Sequence, residues 1–281
     1  MKKIIVVLNI LIVFQSCGFD LEQKAYNFDN FKGTPLWNLA KAVSKDDADE
    51  VTSILKNNKL EIDFKDPEYQ QTLLALSIQN KKKNAFFALL KAGANPNKLL
   101  GNPANATPFI YGIRNVENCD LFYVDSMLQH GADPNLEIKN PNPKYYFADS
   151  HPLLASIGNK YNKGTECLEL VQVLVANGAD INCCYKYSDA DICEGVLAKA
   201  LIQDCIETLK YFIVEKKISI PDTVIIIGFE KSTQEAYGLR DQLTSKDFKY
   251  DDYEIHGQKH DRSKERKTRD EILEYLSKIG K

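Results

Sequence analysis

Apolar residues come along this chain in short bursts with helical spacing, each closed by a small polar phrase. Leu36, Leu39, Ala40 and Val43 recur at intervals of three and four, as do Val51, Ile54 and Leu55, so each set lines one helix face. The runs Ala85–Leu90, Phe122–Leu128 and Leu168–Val175 have the same character. They lead into Lys91-Ala-Gly-Ala-Asn-Pro-Asn97, Gln129-His-Gly-Ala-Asp-Pro-Asn135 and Ala176-Asn-Gly-Ala-Asp-Ile-Asn182. A second phrase stands upstream: Thr34-Pro-Leu36, Thr72-Leu-Leu74, Thr107-Pro-Phe109 and His151-Pro-Leu153, at intervals of 38, 35 and 44 residues. Thr before Pro predicts an N-cap whose hydroxyl accepts an orphan amide, followed by a proline that has no amide to satisfy. Gly93, Gly131 and Gly178 predict helix ends in the left-handed region, where a Cβ is unwelcome.

Two phrases recurring together at this period mark a stacked repeat, in which no unit buries its apolar faces alone. They resemble the ankyrin repeat, a turn followed by two antiparallel helices. The resemblance covers residues 34 to about 221, in units at roughly 34–66, 71–98, 106–136, 150–183 and 194–221. Trp37, Ala75, Ile110 and Leu154 stand where that family has His. The fifth unit, with Gly195-Val-Leu197 and Lys217-Ile-Ser219, has neither phrase. The long intervals mean inserted loops. The implied fold is all-α: an ankyrin-repeat solenoid of stacked helix-turn-helix units with hairpin loops and a helical C-terminal cap. The expected organisation is a signal at 1–16, a tether at 17–33, repeats at 34–221 and a degenerate repeat with cap at 222–281. Within the last part, Thr223–Glu230 and Gln234–Leu243 read as a sixth helix pair. Ser245 to Thr268 reads as a solvated linker or helix. Arg269–Leu276 reads as an amphipathic helix packing through Ile272, Leu273 and Leu276.

The N-terminus has its own pattern. Met1-Lys2-Lys3 is basic, Ile4 to Phe14 is apolar apart from Asn9, and Gln15-Ser16-Cys17 follows, which together read as a secretory signal. A cut before Cys resembles the lipobox of bacterial lipoproteins. That resemblance implies lipidation of Cys17 and a membrane anchor in the periplasm, since several acyl chains anchor stably where one does not. Gly18 rather than Asp after the cysteine favours the outer membrane over the inner. Phe14 and Gln15 depart from the usual lipobox residues.

Composition narrows the chemistry. The chain has 281 residues, 44% apolar and 27% charged, with a net charge of −3 that becomes −5 once residues 1–16 are removed. Such a balance gives no field for nucleic acid. Of seven cysteines, six remain beside Cys17, an even number that suits disulfides in an oxidising compartment. Cys183 or Cys184 with Cys193 closes one loop, whereas Cys167 and Cys205 sit at similar places on neighbouring repeats and look too far apart. Free buried thiols are the alternative. A metal site is disfavoured, because Cys183-Cys184 lacks zinc-knuckle spacing and no His is near. No Gly-x-Ser-x-Gly, His-Glu-x-x-His or phosphate loop occurs, and His130, His151, His256 and His260 are scattered. The chain therefore reads as no enzyme, with no cofactor, no metal and no small-molecule substrate.

Two insertions carry the aromatics. Leu136–Asp149 holds Tyr145, Tyr146 and Phe147, and the next loop holds Tyr185 and Tyr187. Aromatics on loops are favoured interface anchors, so these five are candidate partner-binding residues; covering the irregular repeat junctions is the other reading. Among repeat-bearing envelope lipoproteins, some resemble immunity proteins that block a secreted toxin. The resemblance implies a protein partner, a toxin effector such as a lipase or other hydrolase, bound by occlusion. A mildly acidic surface suits a basic one. The alternative is an envelope scaffold supporting a resident periplasmic enzyme, for example in stress protection.

Overall fold

The protein is seen in a computed structural model that describes residues 24–101, 106–138, 151–158, 166–186, 193–220, 224–227, 234–244, 253–255 and 258–281. The chain divides into two compact units, one of residues 1–115 with 121–133, the other of residues 116–120 with 134–281. The first unit holds three antiparallel helix pairs: α1 (Trp37–Ser44) with α2 (Ala48–Asn57), α3 (Leu73–Gln79) with α4 (Lys83–Lys91), and α5 (Pro108–Arg114) with α6 (Phe122–Gln129). The second holds α7 (Pro152–Ser156) with α8 (Leu168–Ala176), and α9 (Val196–Ile202) with α10 (Ile206–Lys210), which runs on into a π turn at Tyr211–Glu215.

Local chemistry sets the helix starts. Thr72 and Thr107 cap α3 and α5, their hydroxyls accepting the amides of Ala75 and Ile110. His151 does the same for α7 through Nδ1, which accepts from Leu153 N at 3.3 Å. Thr34 departs from expectation. Its hydroxyl accepts from Leu36 N and donates to Phe31 O, and the helix begins only at Trp37.

The Gly-Ala phrases end the second helices in one way. Gly93, Gly131 and Gly178 have φ of 93°, 85° and 90°. Their amides donate to Leu90, Leu128 and Val175, and the alanines that follow donate to Leu89, Met127 and Leu174. This paired closure satisfies two orphan carbonyls and tucks Ala94, Ala132 and Ala179 into the core. The turns inside three pairs use the same backbone region without glycine, at Asp46, Lys81 and Asp204.

Side chains then tie repeat to repeat. Asn97 donates from Nδ2 to Gly131 O at 2.8 Å and accepts from Asp133 N at 2.9 Å. Asn135 repeats the arrangement with Gly178 O at 2.8 Å and Asp180 N at 2.7 Å. Asp46 accepts from Ala85 N and Asn84 Nδ2, capping the second helix of the following pair. Glu166 reaches the Glu207 and Thr208 amides at the start of α10. The largest fully buried side chains include Phe31, Phe86, Phe109 and Phe212.

The C-terminal region corrects the sequence reading. Val224–Ile227 (β3) pairs antiparallel with Gln234–Tyr237 (β4) where a helix pair was expected, and among the described residues of this stretch Leu239–Thr244 (α11) alone is helical. Four consecutive β-branched residues favour an extended, pleated backbone over the helix that the apolar count suggested. Two more hairpins occur, β1 (Cys184–Lys186) with β2 (Cys193–Gly195), and β5 (Tyr253–Ile255) with β6 (Gln258–His260). The last helix, α12 (Ser263–Lys278), buries Thr268, Ile272 and Leu276. It begins six residues before the amphipathic segment read from the sequence. Its charged start is clamped to the repeat at α10: Arg262 to Asp204 at 2.8 Å, Lys264 to Glu207 at 3.4 Å, and Thr268 Oγ1 donating to Glu207 at 2.9 Å. Among the described residues no helix is long and apolar enough to cross a membrane.

Gly131 has open space around an imagined Cβ, so its requirement is purely one of backbone conformation. Gly131→Val is expected to cost about 2 kcal/mol, by forcing a β-branched residue into the left-handed region; a lowered midpoint of thermal unfolding checks it. Burial holds the Glu166 carboxyl above its ordinary value of 4.5, against the lowering effect of the Thr208 and Glu207 bonds. A carboxyl raised in this way favours folding while protonated. Its contribution is full below the ordinary value and lost as pH rises through the folded one. Glu166→Gln removes the titration and keeps one of the two oxygen acceptors, setting its NH2 against the other backbone N–H. Its melting temperature relative to wild type is expected to rise from about pH 4 to about pH 7 in paired thermal melts, on top of a constant loss from the missing acceptor.

Candidate functional site

The residues singled out from the sequence divide by location. Cys17, Tyr145, Tyr146, Phe147 and Tyr187 lie outside the described residues. Tyr185 stands in β1 with its backbone opposite Glu194, and Cys193 stands in β2 opposite Lys186. Cys184 is disulfide-bonded. Cys183 is a free, buried thiol, pushed up to about 12 by burial and secondarily by Asp180. Cys205 is likewise free and buried, pushed up to about 12 by burial and then by Glu166 and Asp204. Thiols held that high carry almost no thiolate at neutral pH and are inert as nucleophiles or ligands.

One bond was missed from the sequence. Cys119 is joined to Cys167, with Cα atoms 5.7 Å apart and a separation of 48 positions along the chain. The distance falls inside the ordinary range for a disulfide. Cys119 lies in the turn between α5 and α6, and Cys167 is the residue just before α8, with no capping bond from its side chain. The signal was present in the chain. The turns at 45–47, 80–82 and 203–205 have three residues each, whereas this one spans 115–121. Asn118 and Cys119 both take the left-handed region there, at φ of 51° and 54°. Closing a loop of this length constrains the unfolded chain by about 4 kcal/mol on the entropy account. Glu169 completes a group with the two sulfurs in which all ligand atoms lie within 4.8 Å. With the sulfurs bonded to each other, only the carboxylate remains as a ligand, so the group is a cross-link and not a metal centre.

A second surface, also missed, lies on the second helices of the first unit. Phe86 meets Tyr123 edge-on at 4.8 Å, and Phe87 meets His130 edge-on at 5.8 Å. Lys83 stands 4.8 Å over Phe122, and Lys91 stands 4.5 Å over Phe87. Phe87, Phe122 and Tyr123 are half-buried. Such cation–ring pairs let aromatic faces stay at the surface without a large apolar patch. His130 also lies 2.7 Å by Nδ1 from Ser126 O, at the C-terminal end of α6, where a ring N–H relieves an orphan carbonyl. These two helices thus present half-buried aromatic faces beside lysine tips.

No protein-family model and no curated protein matches the chain. Solved structures do. The human ASB11 ankyrin repeat domain is 15% identical, covering 65% of this chain and 70% of its own, with a TM-score of 0.44. The ankyrin repeat domain of Bcl-3, a unique member of the IkappaB protein family, is 17% identical, covering 74% of this chain and 79% of its own, with a TM-score of 0.52. At 17% identity the Bcl-3 likeness speaks for the fold alone. Together with the capped helix pairs and their Gly-Ala ends, it establishes that this chain has the ankyrin-repeat fold.

Proposed function

We propose that the chain is a membrane-tethered periplasmic binding protein, lipidated at Cys17, whose partner is a secreted toxin that it blocks by occlusion. The observation that carries the reading is the combination of a repeat fold with covalent sulfur cross-links. Cys119–Cys167 and the bonded Cys184 suit an oxidising compartment, which is where the Met1–Cys17 signal would deliver the chain. Stacked repeats offer a broad surface and need no chemistry of their own to occlude a catalytic cleft. The two inert thiols agree with a binding role. Tyr145, Tyr146, Phe147, Tyr185 and Tyr187 are the proposed anchors, on insertions that the repeat itself does not require. Their seat is the toxin, and the acidic mature chain speeds encounter with a basic one.

Anchoring is tested by growing cells with labelled fatty acid. The wild-type chain is expected to take up label and to fractionate with the outer membrane, and Cys17→Ala to do neither. An unlabelled wild-type chain recovered from the soluble periplasm refutes the anchor. The partner is tested with any secreted hydrolase found encoded beside this gene. The purified chain is expected to inhibit it, and Tyr145→Ala with Tyr146→Ala to weaken binding about thirtyfold with an unchanged melting temperature. Association with a resident envelope enzyme and no inhibition of the hydrolase would favour the scaffold role.

A further inference from the structure

The chain enters the folded body at one corner of the first repeat. Lys24 O and Ala25 O both accept from Asn30 Nδ2, at 2.8 Å and 3.2 Å, so the point of entry is held against the residues that lead into α1. Ala25 and Phe31 are fully buried, and the Tyr26 ring lies on that of Tyr111, centroids 5.4 Å apart, which fixes the segment to the repeats. Trp37, the single tryptophan of the chain, opens α1 and is half-buried. Lys32 and Lys41 stand over its ring, 5.6 Å and 5.5 Å from the centroid. Lys24, Lys32 and Lys41 are exposed. Lys32 pairs with Asp29 at 2.8 Å, with both side chains more than half exposed, so water holds either partner nearly as well. Among the described residues Lys41 has no carboxylate partner, and the indole N–H of Trp37 has no acceptor.

An indole with an apolar body and a donor at its edge, set among lysines on long stems, matches the boundary between acyl chains and phosphate headgroups. Tryptophan gathers there, and lysine meets anionic lipid. The place of this corner in the chain selects that partner. On the reading that Cys17 is lipidated, only residues 18–23 separate the anchor from Lys24. Seven peptide steps span at most about 25 Å when fully extended, or about two helix diameters. The corner therefore stays beside the bilayer, whatever the rest of the molecule does. The chain as a whole is acidic, so an anionic surface repels most of it and attracts this cluster. We propose that Lys24, Lys32, Trp37 and Lys41 form a contact surface for anionic phospholipid, with the indole at the headgroup boundary and the ammonium groups on phosphates. The acyl chains hold the molecule at the membrane, and this corner sets which end of the first unit faces it.

The test couples the mature chain through Cys17 to a maleimide phospholipid in vesicles of phosphatidylethanolamine and phosphatidylglycerol. The coupling supplies the anchor whether or not cells lipidate this residue, so it judges the surface, while fatty-acid labelling judges the anchor. With one tryptophan in the chain, the emission reports this corner alone. It is expected to move to shorter wavelength than in the uncoupled chain, and to be quenched when the acyl chains carry bromine. Vesicles of phosphatidylcholine alone, which need no variant, should remove most of that quenching. Lys32→Glu with Lys41→Glu should do the same on the anionic vesicles, with the circular dichroism of wild type. Emission that stays at the wavelength of the uncoupled chain on anionic vesicles overturns the proposal. Quenching of equal strength on the two kinds of vesicle overturns it as well, and so does quenching that the double substitution leaves unchanged.

Discussion

An asparagine that bridges two hairpins is the constraint on which the repeat register depends. Asn97 takes one acceptor and one donor from the next repeat, Gly131 O and Asp133 N, and Asn135 takes Gly178 O and Asp180 N. The sequence separations differ, 34 in the first case and 43 in the second, while the carbonyl bond is 2.8 Å in both. Each bridge ties one hairpin to the next with the same pair of bonds, whatever the length of chain between them. Both bonds end on the backbone at or beside a left-handed glycine, so the helix end and the register are set at the same point. An amide side chain can do this because it offers a donor and an acceptor in one plane. An Asp in its place would lose the donor.

The same arrangement explains what was legible beforehand. Thr72, Thr107, Gly93, Gly131 and Gly178 act within four residues of themselves, so their phrases can be read from the chain alone. Elements that depend on distant partners were not readable. The Val224–Ile227 run was apolar enough for either a helix or a strand, and its pairing with Gln234–Tyr237 decided the matter. The charged start of α12 looked like a solvated segment because Asp204 and Glu207, its partners, lie some sixty positions earlier. Cys119 could be paired only by noticing that its turn is longer than the others. Tyr26 sat in what read as a tether, and nothing near it announced Tyr111 as its seat. The candidate site was legible to a lesser degree than the fold, since an interface is defined by a molecule that the chain does not contain.

The fate of the sulfurs follows from burial and position. Cys183 and Cys205 sit in apolar surroundings that suppress the thiolate and so slow exchange with neighbouring disulfides. Cys119 and Cys167 meet where a long turn approaches a helix start. A protein with several cysteines gains specificity from this division, because mispaired bonds need thiolates that the buried pair does not supply.

The Cys119–Cys167 bond also has a mechanical meaning. It encloses α6 and α7 in a covalent ring of 48 positions. Tension applied through the two ends of the chain passes directly across the sulfurs. About 160 Å of extended chain within the ring is then withheld from the load path until the bond is reduced. Whatever pulls on this molecule from either side can lengthen the helices outside the ring, but the segment between the third and fourth repeats keeps its span.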